Sequence, residues 1–242
     1  MVNTVTPYKD SEKTKKEQVA DMFDNISHRY DFLNHFLSMG IDRLWREKLV
    51  KMVLQDQPQS ILDVATGTGD LAIALAKTNP SLIEGIDISE GMLSVGRKKI
   101  EKLNLSVPIH LQWGDSEDIP FPENHFDLAT VAFGVRNFEN PLKGLSEMYR
   151  VIRPGGRIYV LEFSQPTSFP FKQVYNLYFL HILPMWGRLV SKDASAYTYL
   201  PESVQAFPYG KAFMQLLESV GFKHTAIKQL SFGIANIYTG IK

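Results

Sequence analysis

The stretch Ile61-Leu62-Asp63-Val64-Ala65-Thr66-Gly67-Thr68-Gly69-Asp70 decides the fold of this chain. Its apolar start is typical of a buried strand, and its two glycines allow a tight turn with close backbone approach. The run from Leu71 to Lys77 fits a helix, so the stretch predicts a strand–turn–helix unit that accepts a nucleotide-like ligand. With Ala72 the spacing also fits the dinucleotide fingerprint, and Asp87 lies at the distance of a ribose-binding acid.

Two carboxylates flank this loop, and they distinguish between the ligands that fit it. A dinucleotide would place a pyrophosphate at the N-terminus of the helix. There Asp63 and Asp70 would each repel it by on the order of a kcal/mol or more. S-adenosylmethionine (SAM) instead carries a sulfonium and an ammonium and has no phosphate. The loop acids therefore favour SAM over a nicotinamide dinucleotide, and a glycine turn that binds no ligand is the structural alternative.

Composition narrows the class of protein. The chain of 242 residues is 44% hydrophobic and 21% charged, which is enough for one α/β domain with a sizeable core. Its formal net charge is zero, so no overall field would recruit nucleic acid. The chain has no cysteine and its histidines show no metal-ligand spacing, so we expect no metal. No apolar run reaches ~18 residues. We therefore expect a cytoplasmic protein that at most rests on a membrane surface.

Strands and helices alternate beyond the glycine loop. The pattern predicts further strands at 82–86, 109–113, 126–133 and 157–163, helices at 90–103, 142–152 and 211–220, and closing strands at 225–230 and 235–238. Together with the first strand, this predicts an α/β fold with a doubly wound, mostly parallel, seven-stranded Rossmann-like sheet. The short final connection predicts an antiparallel hairpin, and the ligand is expected at the carboxyl edge of the parallel strands.

The domain organisation follows from where this alternation holds and where it breaks. We expect residues 1–15 to be a flexible tail and residues 16–242 to form one methyltransferase domain. Within it, residues 16–57 form a helical cap that begins after a capping-box pattern at Thr14. Residues 165–210 form an insert that interrupts the alternation and holds ten of the 28 aromatic residues.

Polar side chains follow successive strands where the ligand edge is predicted. Asp87 ends the second strand, where a carboxylate accepts two ribose hydroxyls, and Asp115 and Ser116 follow the third, where they frame an adenine edge. Singly, such residues are more often helix N-caps, but their joint spacing after the loop favours a cofactor site. The predicted SAM-binding residues are Asp63, Gly67, Thr68, Gly69, Asp70, Asp87, Asp115 and Ser116.

Two further side chains are candidates for chemistry on a substrate. Arg136 follows the fourth strand, where an arginine stabilises an anionic substrate. The alternative is a salt bridge with Glu139 or Glu162, and spacing does not choose between these interpretations. His181 lies in the aromatic insert and is a candidate base; a packed, hydrogen-bonded histidine is the alternative there.

Several longer motifs resemble signatures of one enzyme family. They are Tyr30-Asp31-Phe32-Leu33-Asn34, Phe133-Gly134-Val135-Arg136-Asn137, Arg150-Val151-Ile152-Arg153-Pro154-Gly155-Gly156 and Tyr199-Leu200-Pro201-Glu202-Ser203. They are similar to the quinone-biosynthesis C-methyltransferases, whose members methylate demethylmenaquinol or 2-polyprenyl-6-methoxy-1,4-benzoquinol. The resemblance runs from about Glu17 to the end, and it implies cofactor contacts at Thr68, Asp87, Asp115 and Ser116. The sequence departs from the family pattern at Asp42, where a histidine is frequent, and at Ala132, where some members have a serine.

Residues and resemblance together predict a SAM-dependent C-methyltransferase that acts on the ring of a polyprenyl quinol, with a weak preference for demethylmenaquinol. We expect Arg136 and Asn137 to stabilise the phenolate, and Tyr30 with the insert to hold the ring. His181, or a water near Arg136, would act as the base. The expected partners are the quinol and the inner face of the membrane, without nucleic acid; a homodimer is left open. The alternatives are a methyltransferase for another lipophilic acceptor, such as a sterol or phospholipid amine, and a non-catalytic scaffold of quinone-pathway enzymes.

Overall fold

The central sheet has seven strands in the part of the chain that the structure describes. This computed structural model describes residues 5–38, 40–177 and 195–242. The strands are β1 (Ser60–Val64), β2 (Leu82–Asp87), β3 (Ile109–Trp113), β4 (Phe126–Ala132), β5 (Ile152–Phe163), β6 (Lys223–Leu230) and β7 (Ala235–Ile241). Their order is β3-β2-β1-β4-β5-β7-β6. Strands β1 to β5 are parallel, and β7 pairs antiparallel with both β5 and β6. The predicted sheet and its closing hairpin are confirmed.

Helices cover both faces of this sheet. They are α1 (Lys15–Leu37), α2 (Ile41–Val53), α3 (Asp70–Leu75), α4 (Glu90–Leu103), α5 (Pro141–Val151), α6 (Phe171–Leu177), α7 (Ser195–Ala206) and α8 (Lys211–Val220). Apolar side chains of α2, α3 and α4 share one buried cluster with Ile61, while those of α5 and α8 share another with Leu62. Successive residues of β1 thus point into opposite cores, which is the doubly wound arrangement.

The glycine loop has the conformation that its sequence requires. Gly69 has a φ of 77° and immediately precedes α3, so the chain turns from strand to helix in a left-handed conformation that suits glycine. A Cβ on Gly96 of α4 would lie 3.0 Å from the carbonyl oxygen of Thr68. The absence of a side chain at residue 96 therefore allows α4 to pack directly on the loop.

The helix α1 crosses the carboxyl edge of the sheet. Its start is the predicted capping box, since the backbone N–H of Thr14 donates to Oε2 of Glu17 (2.8 Å) and that of Glu17 donates to Oγ1 of Thr14 (3.3 Å). Its middle is tied to the start of α4, because Asp24 accepts from the hydroxyl of Ser89 and the N–H of Gly91. The residues before α1 lie against it, with Val5 and Tyr8 packed beside its apolar face.

The insert contributes α6 and α7 to the described structure. Tyr175 of α6 and Val204 of α7 are buried together, and Phe163 at the end of β5 packs against them. The remainder of the insert, 178–194, lies outside the described residues, and this includes the predicted base His181. Among the described residues, none of the helices is long and apolar enough to cross a membrane. The domain limits remain predictions.

Candidate active site

A cleft opens at the carboxyl edge of the sheet, beneath α1. It encloses about 620 Å³ of empty space, part of it open to solvent. One wall comes from α1, through Lys16, Val19, Phe23 and Tyr30. The opposite wall comes from the loops that follow β1 to β4, and its polar side chains include Asp87, Asp115, Ser116 and Asn137. The edge that the alternation predicted for a ligand is thus the edge that carries the cleft.

Asp87 lies where β2 ends and faces the cleft. Its Oδ2 accepts from the N–H of Gly67 (2.8 Å), and its Oδ1 accepts from the N–H of Ser89 (2.9 Å). Burial raises the pKa of Asp87 to about 6. A carboxylate has about four acceptor positions, so this group still has capacity for two hydroxyls of a ribose. The loop glycine and the ribose-binding acid predicted from the sequence are therefore in contact.

Asp115 and Ser116 line the cleft beyond β3. Oδ1 of Asp115 accepts from the N–H of Glu117 (2.9 Å), and its Oδ2 accepts from Nζ of Lys16 (2.6 Å). Lys16 was not predicted, because its only sequence signal is membership of the capping box at the start of α1. Glu117 and Glu139 also line the cleft. Among the described residues that line it, the carboxylates of Asp87, Asp115, Glu117 and Glu139 therefore outnumber the one ammonium, that of Lys16, by four to one.

Asp63 supports the loop from below and does not line the cleft. It is 1% exposed and accepts from the hydroxyls of Thr66 and Thr130, each at 2.7 Å. Burial raises the pKa of this carboxyl to about 6. Because its two threonine bonds join β1, the loop and β4, Asp63 holds the glycine turn in place.

Thr68 and Asp70 point away from the cleft, toward α1, α2 and α4. The hydroxyl of Thr68 donates to Oδ1 of Asp31 (2.5 Å). Lys99 pairs with Asp31 (2.8 Å) and with Asp70, and Arg46 lies 3.2 Å from the second oxygen of Asp70. The negative charge of Asp70 is thus compensated by two cations. Gly69, which is likewise absent from the cleft lining, contributes through its backbone turn.

Arg136 is buried in an ion pair. Its Nη1 lies 2.8 Å from Oε1 of Glu162, and it also donates to the carbonyl of Phe133. Its guanidinium lies over the ring of Phe163, 5.3 Å from the ring centroid. The salt bridge to Glu162, which was the alternative interpretation, is therefore present. The catalytic role of Arg136 stays a prediction.

Asn137 and Tyr30 are the two candidate substrate residues that the structure places in the cleft. The ring of Tyr30 packs edge-on against Phe23, with 5.7 Å between the ring centroids. The turn that carries Asn137 is held from outside by Lys15, whose Nζ donates to the carbonyls of Arg136 (3.0 Å) and Phe138 (2.8 Å). Burial lowers the pKa of Lys15 to about 8. Nothing in the local sequence identified Lys15, because its partners lie more than 100 residues away.

The residues of the cleft fit SAM. Asp87 has acceptor capacity for a ribose, and the N–H of Ser116 and the side chain of Asp115 stand at the next strand end, where an adenine would lie. The excess of carboxylates disfavours a pyrophosphate and suits a cationic sulfonium. A doubly wound sheet with this cleft defines a SAM-dependent methyltransferase.

Comparison with known proteins identifies the particular family. A profile of the ubiE/COQ5 methyltransferase family matches residues 11–242. The chain is 48% identical over 239 residues to a demethylmenaquinone methyltransferase of Bacteroides fragilis, covering 98% of this chain and 97% of that protein. It is also 48% identical over 240 residues to the ubiquinone/menaquinone biosynthesis C-methyltransferase UbiE of Geobacter sulfurreducens, covering 98% and 93%. The chain belongs to the ubiE/COQ5 methyltransferase family.

A solved structure agrees on the fold. A SAM-dependent methyltransferase of Thermotoga maritima, described as a possible histamine N-methyltransferase, superposes with a TM-score of 0.65. The match covers 92% of this chain and 99% of that one at 20% sequence identity, so the likeness concerns the fold alone.

Proposed function

We propose that this protein transfers a methyl group from SAM to a ring carbon of a polyprenyl quinol, with demethylmenaquinol as the preferred substrate. The names of the relatives described above support this substrate class. The observation that carries the proposal is the composition of the cleft. Among the described residues that line the cleft, Asn137 lies with four aromatic side chains, those of Phe23, Tyr30, Phe133 and Phe138. Such a site holds a flat ring by its faces and one ring oxygen by a polar group.

The protein residues have a limited chemical task. SAM, when bound, supplies an already activated methyl group, so the chain needs no covalent nucleophile. The ring carbon becomes nucleophilic once the neighbouring quinol hydroxyl has lost its proton. Asn137 stabilises the resulting oxyanion by hydrogen bonding, and Tyr30 packs on the ring. The base that takes the proton is His181 or a water near Arg136, and both alternatives stay open.

Two exposed aromatic side chains lie on the surface of the protein, one in the insert and one in the turn before β7. Phe169 is 80% exposed and Phe232, between β6 and β7, is 66% exposed. The ring of Phe232 stacks on that of Phe171 with 3.8 Å between centroids, and its backbone has a φ of 58°, which is strained for a bulky residue. A strained backbone that presents a ring to solvent favours a role for that ring in binding. We propose that this aromatic tip rests on the bilayer from which the prenyl tail enters the insert.

The test is a reconstitution with purified protein. Methyl-labelled SAM is incubated with reduced demethylmenaquinone and, in parallel, with reduced 2-polyprenyl-6-methoxy-1,4-benzoquinone, and the extracted lipids are analysed by mass. We expect a methylated ring product from the first substrate. Methylation of a sterol or a phospholipid amine instead would establish another acceptor. SAM binding without turnover on any lipid would establish the scaffold alternative, and either result would refute the proposal.

A further inference from the structure

Asn137 is contacted by a tyrosine from the insert. The hydroxyl of Tyr199, on α7, donates to Oδ1 of Asn137 across 3.1 Å. Tyr199 is 3% exposed, and burial raises its pKa to about 12. The phenol therefore remains protonated at neutral pH and serves as a donor. This contact joins the insert to the turn after β4, two segments that are 62 residues apart in sequence.

The nitrogen of the Asn137 side-chain amide has a contact that favours the same amide orientation. Nδ2 of Asn137 lies 3.4 Å from the carbonyl oxygen of Phe133, which can only accept a hydrogen bond. Reversing the amide would place its oxygen against that carbonyl oxygen and remove the acceptor of the Tyr199 hydroxyl. The two contacts thus select one orientation. An amide nitrogen has two N–H bonds, and none of the described residues accepts from the second.

We propose that Tyr199 is a positioning residue, which fixes Asn137 as a hydrogen-bond donor toward the ring oxygen of the substrate. This inference rests on the proposed function, in which a ring oxygen becomes anionic during methylation. In this arrangement Asn137 donates the hydrogen bond and the ring oxygen accepts it. The side chain therefore stabilises the deprotonated quinol and does not accept its proton. It also gives the insert a second task besides holding the tail, because α7 sets the polarity of the cleft.

The sharpest variant is Asn137→Asp, which keeps the side-chain shape. The hydroxyl of Tyr199 can still donate to one carboxylate oxygen, while the second oxygen replaces the donor nitrogen with a negative acceptor. We expect kcat to fall by about 100-fold or more, the range for the loss of an oxyanion donor, with the SAM Kd within about threefold of wild type. An Asn137→Asp enzyme that keeps half of the wild-type kcat would overturn the proposal, since an acceptor would then serve at this position.

Tyr199→Phe tests the positioning role itself. It should lower kcat about tenfold, leave the SAM Kd unchanged and move the acidic limb of the kcat profile to higher pH, because the bound quinol anion is less well stabilised. In an Asn137→Ala background the same change should have no further effect on kcat. The matched control is Tyr159→Phe, which removes another buried hydroxyl. That hydroxyl donates at 2.6 Å to Asp56, which precedes β1 and therefore lies away from the carboxyl edge of the sheet. An unshifted pH profile, or additive losses in the double variant, would show that Tyr199 is merely structural.

A measurement without turnover separates this inference from the function on which it rests. In ¹⁵N-labelled protein, the side-chain amide signals of Asn137 are assigned from their loss in Asn137→Ala. They should shift in Tyr199→Phe and stay in place in Tyr159→Phe. If wild-type protein methylates no quinol, the proposed function fails while these signals still decide the orientation. If it turns over but the signals do not respond to Tyr199→Phe, the positioning role fails alone.

Discussion

Replacement of Asp87 by alanine is expected to abolish measurable SAM binding. The carboxylate lies between the N–H groups of Gly67 and Ser89 and keeps acceptor capacity for two ribose hydroxyls. Hydrogen bonds to a charged group contribute about 1.5–3 kcal/mol each. Two of them amount to about 3–6 kcal/mol, which raises Kd by roughly 10²- to 10⁴-fold. A micromolar site would then fall outside the range of calorimetry.

The pH dependence of binding follows from the same carboxyl. Its pKa in the folded protein is raised from 3.8 to about 6 by burial. Above pH 6 the group is charged and SAM affinity should be constant, whereas below pH 6 affinity should fall by up to about tenfold per pH unit as the acceptor is protonated. Stability has the opposite sign, since the folded chain binds this proton more readily than the unfolded chain. The stabilisation that this group contributes is therefore complete only below the unfolded pKa of 3.8 and is lost as pH rises through the folded pKa of about 6.

Isothermal titration calorimetry on folded variants is the assay. Asp127→Ala is the matched control, because Asp127 also accepts from two backbone N–H groups, those of Gln59 and Ser60, at the opposite end of the parallel strands. It should bind SAM like wild type. Near wild-type affinity in folded Asp87→Ala protein, or affinity that does not change between pH 7 and pH 5, would refute the placement of the ribose on Asp87.

Three further changes test other parts of the site. Arg136→Met should leave SAM affinity nearly intact and lower turnover by about 100-fold. Arg136→Lys should recover only part of the lost turnover. Normal turnover in both folded variants would show that Arg136 has only a structural role, in its ion pair with Glu162. Lys15→Met should lower the free energy of unfolding by about 2–4 kcal/mol, because two buried carbonyls lose their charged donor. Urea denaturation measures this against the exposed control Lys13→Met, and a loss no larger than that of the control would contradict the role of Lys15. Phe232→Ser should weaken flotation with quinone-bearing liposomes by about 10- to 100-fold, the equivalent of one buried aromatic side chain. The control is Trp113→Ser, because Trp113 is a similarly exposed aromatic residue on the opposite edge of the sheet. The control variant should float like wild type, and equal losses in both variants would exclude a membrane contact that is specific to Phe232.

The fold was readable from the sequence where its signals are local. The positions of turn glycines and the spacing of apolar residues predicted α4, β3 and α8 with the bounds that the structure has. The start of β5 was predicted at Arg157 but lies at Ile152, because Ile152 pairs with Phe126 of β4. That extension depends on a partner strand, and the Arg-Pro-Gly-Gly sequence alone is typical of a turn.

The site was readable only in part, for a related physical reason. Asp87 and Asp115 follow strand ends, and the topology of a parallel sheet brings such positions to one edge. Asp70 follows the loop glycines in the same way, yet its partners are Lys99 and Arg46. A carboxylate after a glycine turn looks the same in sequence whether it faces a ligand or a cation. Lys16 and Tyr199 were missed because their partners come from distant segments of the chain.

The helix α1 covers the cleft and also makes polar contacts with the loops that form it. Asp24 is bonded to Ser89, Asp31 to Thr68 and Lys16 to Asp115. A loop that is ordered by a ligand therefore offers α1 a firmer anchor, and a well-anchored α1 keeps the loops in the form that the ligand needs. Such coupling is reciprocal by thermodynamic necessity. The free energy by which a docked α1 stabilises ligand binding therefore equals the free energy by which a bound ligand stabilises the docking of α1.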